Sequence, residues 1–317
     1  MTNNEAAEKE ASIKPIKQIK PISKYSPLRA YLFVLAHPKT WKSTSSFIGT
    51  AVKDFFYLQF QRKFGFIKTK IIPVDSPLDD YIPFKPEKID IYLNCINFWI
   101  RPLALLVKHR RNHAAKHISD FLALISRCYK EAAAFYRFRM STTKRPKGIA
   151  KLKFIWVKLF DPHYLCVPSL NVSVAVLAAT YFKRAFKEEQ FSEEEQKFYN
   201  AEIYTEAIEI AEAALYTKQL SVNCIAAALY MMSCIFESEF SIQEAVDFIN
   251  SIFANAQDIT QEAKKQINEH LNTLFEQLLL ENTSEYDWET PLKRWILQCE
   301  KDGTMPDYGD EKASGRL

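Results

Sequence analysis

Apolar residues between positions 38 and 64, among them Phe47, Val52, Phe55, Phe56, Leu58, Phe60 and Phe64, recur at the spacing of one helix face. Gly65 is a natural stop. Pro73, Pro77, Pro83 and Pro86 crowd the next stretch, and their fixed φ and missing amide donors predict an extended linker that ends at Glu87 and Lys88. A helix follows, with a bend or division expected at Arg101 and Pro102. A second long helix spans residues 111–140. The basic turn TTKRPKG and the short amphipathic KLKFIWVKLF then lead to a helix that starts near Pro168 and runs to Phe182.

Past residue 190 the pattern is helical with legible starts. Ser192 with Glu195, and Ser241 with Glu244, have the capping-box spacing, in which hydroxyl and carboxylate satisfy each other's backbone donors. Helices are expected near 192–217, 220–236, 241–255, 259–281 and 287–300. No fixed-period repeat appears. Only 6 glycines stand against 14% aromatic and 48% apolar content, a balance that suits packed helices. The expected fold is all-α, a multi-helix bundle with a disordered basic arm over residues 1–25, where the rhythm KPIKQIKPISK prevents a continuous helix. A basic helical domain over 26–188, an acidic helical bundle over 189–302 and a flexible tail over 303–317 complete the division.

The net charge of +4 hides a strong asymmetry. Residues 1–160 hold 30 Lys and Arg against 11 Asp and Glu, a balance of +19, which leaves 12 against 27 and −15 for the remainder. The halves can neutralise each other, or the basic half can face phosphates or an anionic surface. Six dispersed cysteines without a CxxC pair read as reduced thiols, and the N-terminus has no signal-peptide pattern. A cytoplasmic protein, associated with the inner face of the membrane, is the expectation. Three nearly uncharged runs, 91–107, 164–182 and 220–236, are at the lower length limit for a bilayer span and read first as buried core helices.

The segment DPHYLCVPSLNVSV carries the candidate chemistry. Unpaired amides at the start of the helix at Pro168, together with the helix dipole and the Ser169 hydroxyl, form a seat for a phosphate. The frame Pro168, Ser169, Leu170, Asn171, Val172, preceded by DYIPFKP at residues 80–86, resembles the Pro-Ser-x-His and Asp-x-Ile-Pro-Phe-x-Pro motifs of the type 2 phosphatidic acid phosphatase and vanadium haloperoxidase superfamily, in its branch similar to the inositol phosphotransferases. The resemblance covers residues 75–182. It implies a lipid-phosphatase-like helical core, yet the family's reactive groups are absent. Asn171 replaces the histidine that protonates the leaving group, and an amide cannot titrate. Ser126 and Arg127 lie upstream, with Ala133 where the nucleophilic histidine belongs. Lysine is missing before both Arg-Pro pairs, where Asn94 and Phe138 stand.

The resemblance therefore implies a catalytically inactive relative that binds a phosphorylated lipid or other anionic phosphate ligand. Its contacts would be Ser169, Asn171, Arg101, Arg110, Arg111, Arg145 and Lys147. The alternative is a helical scaffold or adaptor that binds a protein partner through its acidic C-terminal bundle. A third reading, an active phosphatidic acid phosphatase-like hydrolase, needs His109 or His163 to supply the chemistry. His109, His113 and His117 share one helix face, but three imidazoles along one axis cannot close around a single ion, so no metal is expected. No cofactor motif and no nucleic-acid-binding signature appears, and neither kind of partner is expected.

Overall fold

A computed structural model describes residues 19–146, 152–285 and 287–302. The expected all-α bundle is what these residues form. The N-terminal helices are α1 (Leu28–Ala36), α2 (Trp41–Ala51) and α3 (Leu58–Lys63), and a π-helical segment, Val52–Tyr57, joins the last two. Next come α4 (Ile89–Leu93), α5 (Cys95–His109), α6 (Arg111–Phe138) and α7 (Leu152–Phe160). The acidic half follows α8 (Leu170–Glu188) with α9 (Glu193–Tyr216), α10 (Val222–Ile235), α11 (Ile242–Ser251), α12 (Gln261–Asn282) and α13 (Glu289–Asp302). Two short strands, β1 (Ile71–Pro73) and β2 (Met140–Thr142), pair in parallel with Ile71 opposite Met140.

Most buried apolar side chains from Ile22 to Ile296 belong to one hydrophobic cluster, with Ile89, Phe154 and Val157 in a small second one, and α8 packs directly on α9 across the change in charge. α10 shows why the run 220–236 lacks charge. Nearly all its side chains are buried because α8, α11 and α12 pack around it, and a helix enclosed on every side must be apolar all round. The same holds for the first turns of α8. Among the described residues no helix is long and apolar enough to cross a membrane.

Several local expectations move. The break placed at Arg101 and Pro102 falls at Asn94 instead, and α5 continues through a buried Pro102. Asn94 Oδ1 accepts from Asn97 Nδ2 at 3.1 Å and from Arg101 Nη2 at 3.4 Å, so this side chain gathers donors from the first two turns of α5. The arm expected over 1–25 is packed from Ile19 onward, with Ile22 1% exposed, while residues 1–18 and 303–317 lie outside the described residues. α1, α2 and the start of the π-helical segment leave Leu28, Leu32, Leu35, Trp41, Ile48 and Val52 exposed, an apolar face on the outside of the bundle.

Candidate binding clefts along an acidic helix

α9 begins where the sequence places it. Ser192 Oγ accepts from the Glu195 amide at 3.2 Å and Glu195 Oε2 accepts from the Ser192 amide at 3.0 Å, closing the capping box. One face, with Tyr199, Ile203, Ala207, Ile210 and Ala214, enters the core. The opposite stripe carries Glu194, Phe198, Glu202 and Glu206, four residues apart, with Thr205 and Glu209 beside them, so their side chains line up along one side of the helix.

Three clefts open along that stripe, and Glu209 borders all of them. The largest, about 660 Å³, lies between the stripe and Ile19, with Phe198 and Ala201 as its apolar floor and Lys197 at its rim. A second of about 390 Å³ separates Glu206 and Glu209 from Asp90, Asn94 and Arg101. The third, about 550 Å³, lies between Glu209, Glu212 and the α11 residue Asp247. Burial raises the Glu206 carboxyl above its usual range; neighbouring Glu202 and Glu209 add to the shift and Arg101 opposes it. Burial also raises Glu212, against a hydrogen bond from the Phe253 amide at 2.7 Å. Among the described residues no ion pair joins Glu194, Glu206, Glu209 or Glu212 to a cation.

The helix already holds two lysine-bearing stretches of its own chain. At the turn Ile22–Lys24, Glu202 accepts from the Ile22 amide at 2.7 Å and the Ser23 amide at 2.9 Å, and ahead of it Ile19 faces the large cleft. At the other end the Lys85 amide donates to the Tyr216 carbonyl at 2.9 Å. The Lys85 ammonium lies 4.7 Å from the Tyr216 ring centroid and 2.9 Å from Asp258. Sequence reasoning located the acidic half but passed over this stripe; the carboxylates spaced by three and four, interleaved with apolar residues, were its signal.

The residues expected to hold an anion are dispersed. Ser169 is 2% exposed and caps its own helix, accepting from the Val172 amide at 3.4 Å. Ser169 and Asn171 share a hollow of about 30 Å³ with Asp161 and His163, room for about one water. Arg145 is tied to Asp161, by Nη2 to the carboxylate at 2.9 Å and by Nη1 to the carbonyl at 3.1 Å. Arg101 faces the second cleft. Arg110 donates to the Glu189 carbonyl at 2.8 Å, Arg111 is exposed on α6, and Lys147 lies outside the described residues.

The histidine row is divided among separate partners. His109 meets the Tyr25 hydroxyl at 3.1 Å, whereas His117 and His113 reach Glu189 at 2.8 and 3.0 Å. Glu189 was not singled out from the sequence, since nothing local shows that the end of α8 returns to α6. Burial raises its carboxyl, but the bonds from His117 and His113 outweigh that and hold it below the ordinary range. Burial and the neighbouring Arg145 push His163 well below its usual range, keeping it neutral. Among the described residues no group of three or more His, Cys, Asp or Glu could hold a metal ion.

Comparison with protein families, with curated proteins and with solved structures finds no match to this chain. That overturns the resemblance to the type 2 phosphatidic acid phosphatase and vanadium haloperoxidase superfamily, and the phosphatase-like reading goes with it. The shared letters around Pro168 and Asp80 are too few to carry a family. The membrane-associated reading loses the support of any spanning helix, because none of the described helices has the length and apolarity to cross a bilayer.

Proposed function

We propose that this protein is a helical binding scaffold that captures an extended, basic segment of a protein partner along the acidic face of α9. The observation that carries this reading is the cleft bordered by Ile19, in which Glu202 grips two consecutive backbone amides of a lysine- and isoleucine-rich stretch. A partner with the same chemistry finds the same complements. Lysines meet Glu194, Glu206 and Glu209, and aliphatic side chains rest on Phe198 and Ala201. Burial raises the Glu206 and Glu212 carboxyls, and a cationic segment in the cleft would oppose that shift as Arg101 and Lys88 do in part. The exposed leucines of α1 and Trp41 add an apolar face of the kind interaction proteins carry.

The test is fluorescence anisotropy with a labelled peptide of repeated Ile-Lys-Pro triplets. Binding should weaken steeply with salt and fall about tenfold or more in the Glu206→Lys, Glu209→Lys double variant. Equal binding of a peptide with glutamate in place of every lysine would refute the reading.

A further inference from the structure

Residues of α8, α9 and α11, with Phe240 from the turn between α10 and α11, line an apolar pocket of about 310 Å³, a volume within the range of small-ligand sites. Val176, Phe240 and Phe248, all buried, form its apolar wall. The Tyr204 ring adds to that wall. It stands edge-on to Phe248 with centroids 6.2 Å apart, and its hydroxyl is 3.0 Å from the Ser251 hydroxyl, so both ends of the side chain are engaged. Ala179 on α8 and Ala201 on α9 keep the volume open, since each contributes only a methyl group where a longer side chain would fill it.

One polar atom in this lining is unanswered. Asn200 Oδ1 is buried, and no donor reaches it among the described residues. A buried acceptor without a donor is costly and uncommon, so such an atom beside an open volume marks where the donor of a ligand fits. The neighbouring polar groups are engaged. Thr180 Oγ1 donates to the Val176 carbonyl at 3.1 Å, and the Lys183 ammonium lies 3.6 Å from Glu244. Asp247 accepts from the Gln243 side chain at 2.8 Å but pairs with no cation among the described residues. Lys183 and Glu244 offset each other, which leaves Asp247 as a carboxylate without countercharge and favours a cationic head group over an anionic one.

We propose that this pocket binds a small apolar amine, whose hydrocarbon body packs on Val176, Phe240 and Phe248 while its ammonium donates to Asn200 Oδ1, with Asp247 supplying the countercharge. The body gains by leaving water, and an ammonium carries donors enough to serve an amide oxygen and a carboxylate together. A carboxylic acid of the same shape brings an acceptor to an acceptor and a negative charge to a carboxylate. The site therefore selects by head group rather than by shape.

Isothermal titration calorimetry on the full chain compares phenylbutylamine with phenylbutyrate, which share a hydrocarbon body and differ in the head. The amine should bind about tenfold or more tightly than the acid; equal affinities, or no binding of the amine, overturn the proposal. Ala179→Phe fills the pocket from a partly exposed position and should abolish amine binding, whereas parent-like affinity in that variant places the amine elsewhere and overturns the site. Asn200→Leu removes the unmet acceptor, so amine affinity should fall about tenfold while the urea midpoint stays at or above that of the parent, because the Oδ1 atom gives up no hydrogen bond within the described chain. A lowered midpoint, or amine affinity untouched by this substitution, overturns the role given to Asn200.

Discussion

Replacing Glu202 by alanine tests whether this carboxylate anchors the N-terminal segment to α9. Two bonds are lost, from the Ile22 amide at 2.7 Å and from the Ser23 amide at 2.9 Å. A hydrogen bond from a neutral amide to a charged acceptor contributes about 1.5–3 kcal/mol when shielded, and Ser23 is exposed, so the pair together is worth about 2–3 kcal/mol. Ile22 stays buried only while its turn is closed, so the loss appears as easier local opening rather than as global unfolding. Hydrogen exchange at the Ile22 and Ser23 amides should therefore accelerate by roughly 30- to 150-fold, with exchange in α10 unchanged. Glu202→Gln keeps one neutral acceptor and should fall between parent and alanine. Exchange at Ile22 within about twofold of the parent in the alanine variant would show that the anchor is not this carboxylate.

Three further outcomes follow from the same geometry. Affinity for the triplet peptide should rise with pH through the raised range of Glu206 and Glu212, since a cationic ligand favours the ionised carboxylates, and binding should release protons; a flat profile between about pH 4 and pH 7 in anisotropy contradicts this. Glu189, whose carboxyl is held low, contributes stability above the unfolded carboxyl range that disappears as pH falls through its folded value, so urea midpoints of Glu189→Gln and parent should converge in acid and separate near neutrality. Phe121, 0% exposed and packed against Trp99, Tyr181 and Phe182, should cost about 3–5 kcal/mol on change to alanine, read as a lowered urea midpoint.

Local rules told most about the elements and least about the site. The capping boxes at Ser192 and Ser241 were legible because they need only two residues three apart, and both form in the structure. Proline at 102 was a poor guide: a helix can absorb the missing donor, while Asn94, an ordinary residue to any pattern, gathers the bonds that mark the break. Ser169 was legible as a helix start but not as a buried one, because enclosure depends on Tyr136, whose hydroxyl reaches the Pro168 carbonyl from 32 positions away. The α9 clefts escaped for the same reason. Whether a row of glutamates meets solvent or lysines is decided by which segments fold back on it, and Ile19–Ser23 arrives from about 180 residues upstream.

The charge asymmetry now has a partial internal account. Lys70 and Arg139 meet Glu300, Lys85 meets Asp258 and Arg110 meets Glu189, so the basic half does neutralise carboxylates of the acidic half. Those pairs lie at the joints where α13, the turn after α11 and the end of α8 touch the N-terminal layers. They stop short of α9. Had mutual neutralisation been the whole reason for the division, the densest row of carboxylates would be covered first, since it gives the largest gain per cation. Instead Glu194, Glu206 and Glu209 line open clefts, and burial, with acidic neighbours adding to it, raises the Glu206 carboxyl above its usual range. A surface that keeps like charges together against their repulsion supports the proposed role of receiving a cationic chain.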